Sequence, residues 1–509
     1  MLAPPPPPSP PPATAPAAAL PPPAVRDRYW WRLLPALAVL ALLVRVPSFT
    51  RPLWNPDEGY LAVQARMLAA GGSLYDTVVD RKPPLVPWLY QASFALTGDT
   101  TLLGPRLLAV LAWLLAAAFT ASLARRHAGP RAGITAGILC LLLSAGLNPA
   151  DTQAASFEVF MLPATVAAVW CADRAHWCGA GLALAAAFLA KQTGLAVLLP
   201  LLWCVPHRAP AGDRARALGL LLGSAALPVL LAALATAPRG FLFWTLTGSG
   251  DYLAFSGSLA TLAGRALVNT ALLAAAAAGV LPAALAAVRA RRTGLGPGTG
   301  WLWLWLAGAA LATALGLRFF GHYFLHLVPP LALLGAGALA RVPRRARRTA
   351  LAVCAGCCAL FLAWGLLTPR TGYEHSRRVA AEIVRRTAPG EAVLVWGMHP
   401  ETYWFAHRPP ASRYLTAGLL TNFGGGRTGT TAVGERWAVR GGWSTFRREV
   451  AAHPPALVVD DARGAPYRLS RTPTLRRWLR GGFVPVARVD GAVVYVPGER
   501  WGTPGRATR

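Results

Sequence analysis

The chain has 509 residues, of which 54% are hydrophobic and 14% charged, and a formal charge of +29. Its cations sit in short arginine clusters between apolar runs, a topological pattern rather than a nucleic-acid footprint. Uncharged windows of about 17 to 25 residues recur from 33 to 367, far more than a soluble core needs, so the composition points to an α-helical polytopic membrane protein.

Residues 1 to 28 begin with an uncharged Pro/Ala stretch that cannot bury a core, and are expected to form a disordered cytoplasmic tail. Arg26, Arg28 and Arg32 then precede the apolar run Leu33 to Val46. No small-residue cleavage site follows, so this reads as an uncleaved first span with its N-terminus inside. Arginine clusters recur at alternate loops: Arg125-Arg126, Asp173-Arg174, His207 to Arg216, Arg289 to Arg292 and Arg341 to Arg348. These are assigned to the cytoplasm. The opposite set, residues 47–101, 148–153, 191–193, 238–261 and 318–322, is poorer in basic residues and is assigned outside. The count gives about eleven spans with the C-terminus outside. Between Trp177 and Val205, one long helix would hold Lys191 and Gln192 in mid-membrane, at about 2.5 kcal/mol or more for the lysine alone. Two short helices turning at Lys191-Gln192-Thr193 avoid that cost.

The transmembrane domain is thus expected over 29–369, with a catalytic first outer loop at 47–101. From Thr371 the pattern is soluble. It predicts an amphipathic helix over Glu374 to Arg386 and strands over Ala392 to Trp396 and Ala456 to Val459. A hairpin follows from Val486 to Val496 around Asp490-Gly491. Residues 370–509 are therefore expected to form a small extracytoplasmic α/β domain, with Gly424-Gly425-Gly426 marking a flexible loop. The seven cysteines all lie in or beside predicted spans, and Cys354-x-x-Cys357-Cys358 reads as helix packing rather than a metal site.

Chemistry concentrates in the first outer loop. Asn55-Pro56-Asp57-Glu58-Gly59-Tyr60 places an acid pair where Asn55 caps, and Pro56 opens, a helix. On that helix Asp57 and Glu58 diverge by about 100 degrees, so only one faces a given substrate. Asp80-Arg81-Lys82-Pro83-Pro84 follows, and Lys82 is one of only two lysines in the chain. The prolines set it at a helix entrance, where an ammonium and free amides favour an anion such as phosphate. Asp151 and Glu158, seven apart, are expected two helical turns apart on one face. Lys191 and the segment Arg318-Phe-Phe-Gly-His322-Tyr323 fall on the same side.

These motifs, with Leu74-Tyr75-Asp76 and Leu-Ala-Lys191-Gln-Thr-Gly, resemble polytopic GT-C glycosyltransferases, in the bacterial branch related to protein O-mannosyltransferases and aminoarabinose transferases. The resemblance covers roughly residues 29 to 367. It implies transfer of a hexosyl or pentosyl residue from a polyprenyl-phosphate carrier to a glycan, lipid or protein acceptor outside the plasma membrane, with inversion. It makes Asp57 the candidate base, with Glu58 beside it as the second catalytic acid. Lys82 meets the donor phosphate, with Arg81, Lys191, Arg318 and His322 as further candidates for that role and Asp80, Glu158 and Tyr323 in support. Glu58 and Glu158 are candidates to orient groups or to bind a divalent cation. The competing reading is a lipid-linked sugar flippase or another transporter. Transporters place polar sites near the midplane on broken helices, whereas these charges cluster at the outer rim.

Overall fold

The computed structural model describes residues 28–248, 259–369, 373–424 and 433–498. The Pro/Ala tail, residues 249–258 of the 238–261 loop, and Gly425 and Gly426 lie outside them. The chain begins with α1 (Arg28–Val44), and the 47–101 loop contains two helices, α2 (Pro56–Ala69) and α3 (Leu85–Thr97). The long apolar helix α4 (Leu103–Ser144) is a hairpin, because Gly129 takes φ 82° ahead of Pro130 and breaks it. Beyond the break the chain folds back, bringing Cys140 Sγ within 3.9 Å of Thr120 Oγ1.

Then follow α5 (Phe157–Ala172), α6 (Trp177–Ala190), α7 (Leu198–Arg208), α8 (Arg214–Ala235), α9 (Leu259–Ala276) and α10 (Leu281–Arg289). The helical region closes with α11 (Trp301–Ala314), α12 (Val328–Leu339) and α13 (Arg344–Leu367). Lys191 is extended, φ −161° and ψ 137°, so α6 and α7 are two helices as the cost of a mid-membrane lysine required. Among the described residues, five helices are long and apolar enough to cross a bilayer: Leu103–Ser144, Ala211–Ala235, Leu259–Ala276, Gly321–Leu339 and Arg344–Leu367. Phe157–Ala172, Trp177–Ala190 and Trp301–Leu317 are shorter apolar helices. On α8, Leu227, Leu230, Leu231 and Leu234 are each more than half exposed, a surface that lipid rather than water stabilises.

The bundle has two chemically distinct ends. Glu158 and Asp173 mark opposite ends of α5, about 22 Å apart at 1.5 Å per residue. At the Asp173 end that buried carboxylate receives Arg126 at 3.1 Å, His127 at 3.0 Å and Arg208 at 2.7 Å, joining three arginine turns. The loop through Gly298, whose carbonyl accepts from Arg208 at 2.8 Å, lies there too. At the Glu158 end lie the 47–101 loop and the C-terminal region.

That region runs α14 (Glu374–Arg386), β1 (Val393–Trp396), α15 (Glu401–Ala406), β2 (Leu457–Asp460), β3 (Phe483–Val489) and β4 (Ala492–Pro497). The strand order is β1-β2-β4-β3, with β1 and β2 parallel and the other pairs antiparallel. The predicted hairpin forms at Asp490-Gly491, both at positive φ as a tight two-residue turn requires. The sheet core is continuous with the bundle core: Val393, Val395 and Tyr403 belong to the same buried cluster as Leu61 and Tyr90.

Docking is close at Gly59. A Cβ there would lie 2.6 Å from Glu401 Cβ and 2.9 Å from its Cα, so only glycine lets α2 and α15 approach this far. Arg66 secures the contact, donating to the Trp404 carbonyl at 2.9 Å and pairing with Asp99 at 2.6 Å. Gly59→Ala must push two backbones apart, at about 1–3 kcal/mol of overpacking. We expect a lower thermal midpoint in detergent and faster proteolysis of the C-terminal region. An unchanged midpoint would show that the helices give way freely.

Candidate active site

Asn55 caps α2 as its sequence predicts, its side-chain oxygen accepting from the Asp57 amide at 2.9 Å. The two acids that follow separate completely. Asp57 is about one-third exposed, and its Oδ2 lies 3.5 Å from Lys82 Nζ. Glu58 is fully buried. Its Oε1 accepts from Arg106 Nε at 3.2 Å and the Ala155 amide at 2.9 Å. Its Oε2 accepts from Arg106 Nη2 at 3.0 Å and the Trp54 amide at 2.8 Å. With two donors on each oxygen, Glu58 has nothing to offer an acceptor or a cation, and the geometry makes it the anchor of the loop. Removing it leaves Arg106 charged and buried, so Glu58→Ala should cost about 3–5 kcal/mol. The check is a double-mutant cycle with Arg106→Ala read by thermal unfolding, in which the double variant should be less impaired than the two single losses summed.

Lys82 is set by its own loop. The buried Asp80 carboxylate accepts from the Lys82 amide at 3.3 Å and from Gln64 Nε2 at 3.4 Å. Burial raises the Asp80 carboxyl above the usual carboxylate range, while the Lys82 ammonium pulls it the other way. Tyr75 donates to the Lys82 carbonyl at 2.9 Å, Tyr60 to the Val79 carbonyl at 2.9 Å, and Gln192 to the Arg81 carbonyl at 2.6 Å. Three elements thus clamp residues 79–82. The ammonium sits 3.9 Å above the centroid of Phe157.

The remaining candidates form a neighbouring layer. Lys191 Nζ makes a close ion pair with Glu158 Oε1 and lies 4.2 Å from the Tyr323 ring centroid. His322 bridges two acids, Nδ1 to Asp151 at 2.8 Å and Nε2 to Glu158 at 3.8 Å. Arg318 donates to the Gly424 carbonyl at 3.1 Å, tying this layer to the C-terminal region. Arg81 contributes its carbonyl to Gln192. Among the described residues, no set of three or more His, Cys, Asp and Glu is placed to hold a metal ion.

One expectation is corrected. Asp151 and Glu158 do not share a helix: residues 153–156 are non-helical between the short turn Pro149–Thr152 and α5. The carbonyls of Thr152, Gln153 and Ala154 accept from the buried Arg45 guanidinium, Ala155 donates to Glu58, and its carbonyl accepts from Tyr90 at 2.7 Å. Side chains from distant elements therefore satisfy this backbone in place of a helix, and His322, not helical periodicity, brings the two acids together. Sequence reasoning also missed Arg106, Phe157 and Gln192. An arginine in the first turn of an apolar helix signals a buried partner, and that was the readable sign for Arg106.

Residues 81–234 match the sequence model of a family described as dolichyl-phosphate-mannose-protein mannosyltransferase. No curated protein matches the chain. Among solved structures, ArnT from Cupriavidus metallidurans bound to undecaprenyl phosphate superposes with a TM-score of 0.60 at 18% identity, covering 94% of this chain and 100% of that one. The apo form of the same protein gives 0.62 at 18% identity over 94% and 99%. The archaeal oligosaccharyltransferase AglB from Archaeoglobus fulgidus, in complex with an inhibitory peptide and a dolichol-phosphate, gives 0.52 at 12% identity over 94% and 75%. The GT-C resemblance read from the motifs is thereby borne out, and the fold is that of ArnT.

Proposed function

We propose that the chain is a plasma-membrane glycosyltransferase that takes a hexosyl or pentosyl residue from a polyprenyl-phosphate donor. It passes the sugar to an acceptor hydroxyl on a glycan, lipid or protein outside the membrane. The arginine-rich end faces the cytoplasm by the positive-inside rule, and the Asp57 end with residues 370–509 faces outward. Two of the solved neighbours hold a polyprenyl or dolichyl phosphate, which supports a lipid-linked donor.

The observation that carries the reading is the Asp57–Lys82 pair, 3.5 Å apart and partly open to solvent at the end of the bundle. Asp57 takes the proton of the acceptor hydroxyl as its oxygen bonds to the anomeric carbon. The bond from that carbon to the phosphate oxygen breaks, and the lipid phosphate leaves with one more negative charge. Lys82, held over Phe157, meets that charge as it develops. A single displacement inverts the anomeric centre. In the free protein Asp57 holds the ammonium. When phosphate draws Lys82 away, the carboxylate is released to act as base.

The test is reconstitution: purified protein, radiolabelled polyprenyl-phosphate sugars and envelope extract, with mass spectrometry of glycolipids and exported glycoproteins from cells with and without the chain. A sugar found on an acceptor only when the chain is present supports the reading. Identical glycan profiles, together with no transfer from any lipid-linked donor, refute it.

A further inference from the structure

The arginine-rich end carries more positive charge than Asp173 compensates. Between Asp251 and Glu374 the sequence contains no acidic residue at all. That stretch includes Arg341, Arg344, Arg345, Arg347 and Arg348 around the start of α13, and Arg289, Arg291 and Arg292 at the end of α10 and just beyond it. Of the first five, all but Arg347 are exposed, and none has an ion pair among the described residues. The contrast with Asp173 is informative: there a single buried carboxylate collects three arginines and a histidine, so this end does compensate charge where an acid is available.

Beside the unpaired run lies a cleft of about 600 Å³ between the turn that follows α9 and the first turns of α13. Ala278, Gly279, Ala346, Thr349 and Val353 form its walls, and Arg345 stands at its rim. From Arg345 to Val353 the cleft follows α13 for about 12 Å at 1.5 Å per residue. It therefore starts at Arg345, next in sequence to Arg344, and runs into apolar surface along a membrane-crossing helix. The first amides of α13 have no partners within the helix and add to the attraction for an anion.

We propose that this cleft binds an anionic glycerophospholipid of the leaflet opposite the candidate active site. Its phosphate lies among Arg344, Arg345 and Arg348, and its glycerol and first acyl carbons lie against Ala346, Thr349 and Val353. Charge complementarity selects the headgroup, and the apolar wall separates this site from a diffuse basic surface. The leaflet follows from α13 itself. Arg51, in the loop that carries Asp57, donates to the carbonyls of Gly365, Leu366 and Thr368 at the far end of that helix. Arg344 lies about 34 Å away along α13, at the other face. The proposal rests on the membrane-spanning reading and is independent of the transfer chemistry.

The full chain, in nanodiscs of phosphatidylcholine doped with phosphatidylglycerol, is the material for the test, with retained lipid counted by native mass spectrometry. Two variants attack the site differently: R344Q/R345Q removes charge, and A346W fills the cleft with every arginine kept. Each is expected to lower phosphatidylglycerol retention about tenfold or more. R214Q/R216Q, charge-matched at the same end of the bundle, should leave it unchanged. Equal losses in R344Q/R345Q and R214Q/R216Q, or full retention in A346W, would reduce the site to a general basic surface. Displacement of phosphatidylglycerol by equimolar polyprenyl phosphate would overturn the assigned occupant.

Discussion

Asp57→Asn is expected to slow sugar transfer by about 10²–10⁴-fold while donor binding stays close to that of the unaltered protein. The amide keeps the size and most of the hydrogen bonding of the carboxylate, and Asn55 still caps the helix through the residue 57 amide, so α2 should not shift. What is lost is the ability to accept a proton from an alcohol. Lys82 loses its partner at 3.5 Å but keeps Phe157 beneath it and Tyr75 on its carbonyl, so the proposed phosphate subsite should survive. Equilibrium binding of a polyprenyl phosphate and single-turnover transfer therefore need to be measured on the same preparation. If transfer falls and binding holds, Asp57 acts in the chemical step. If transfer continues at an undiminished rate, the base lies elsewhere and the site must be reassigned. If both collapse together, the carboxylate is organising the loop rather than moving a proton.

Much of this arrangement was legible in the sequence where the cause was local. The helix Glu374–Arg386, the turn at Asp490-Gly491, the Asn55 cap and the break at Lys191 all follow from periodicity, turn chemistry or the cost of a buried charge, and each forms where expected. The pairing of loop and bundle was not legible to the same depth. The divergence of Asp57 and Glu58 is written in helical geometry, but which of them faces inward depends on Arg106, 48 residues on. The non-helical segment 153–156 is dictated by Arg45, Glu58 and Tyr90, none of them a sequence neighbour. Gly59 reads as a residue following an acid pair, and only the docked α15 reveals that a side chain has no room there. Tertiary partners outvoted local pattern at the positions where the loop, the bundle and the C-terminal region meet.

Substituting Lys82 by Gln is expected to slow transfer by about 10²–10³-fold, the usual loss when one donor aimed at developing charge is removed. Two roles would give that number, and the geometry allows them to be separated. Lys82 touches Asp57, so its loss would also be harmful if the ammonium only held the carboxylate in place. In that case Lys82→Gln made in an Asp57→Asn background should add nothing, because no carboxylate is left to hold. If Lys82 meets the donor phosphate, the same substitution should weaken polyprenyl-phosphate binding in both backgrounds by a similar factor, since the lipid headgroup is present whichever residue occupies position 57. Lys82→Arg sharpens the distinction. It keeps the charge, but its planar head is longer and broader than the ammonium, which sits 3.9 Å from the Phe157 ring centroid. Binding should be largely restored and turnover only in part, because the displaced charge still attracts the phosphate but no longer sits where the leaving oxygen develops. A double-mutant cycle in which the two losses merge completely, with lipid binding untouched by Lys82→Gln, would leave Lys82 a positioning residue and move the phosphate subsite to Lys191, Arg318 and His322.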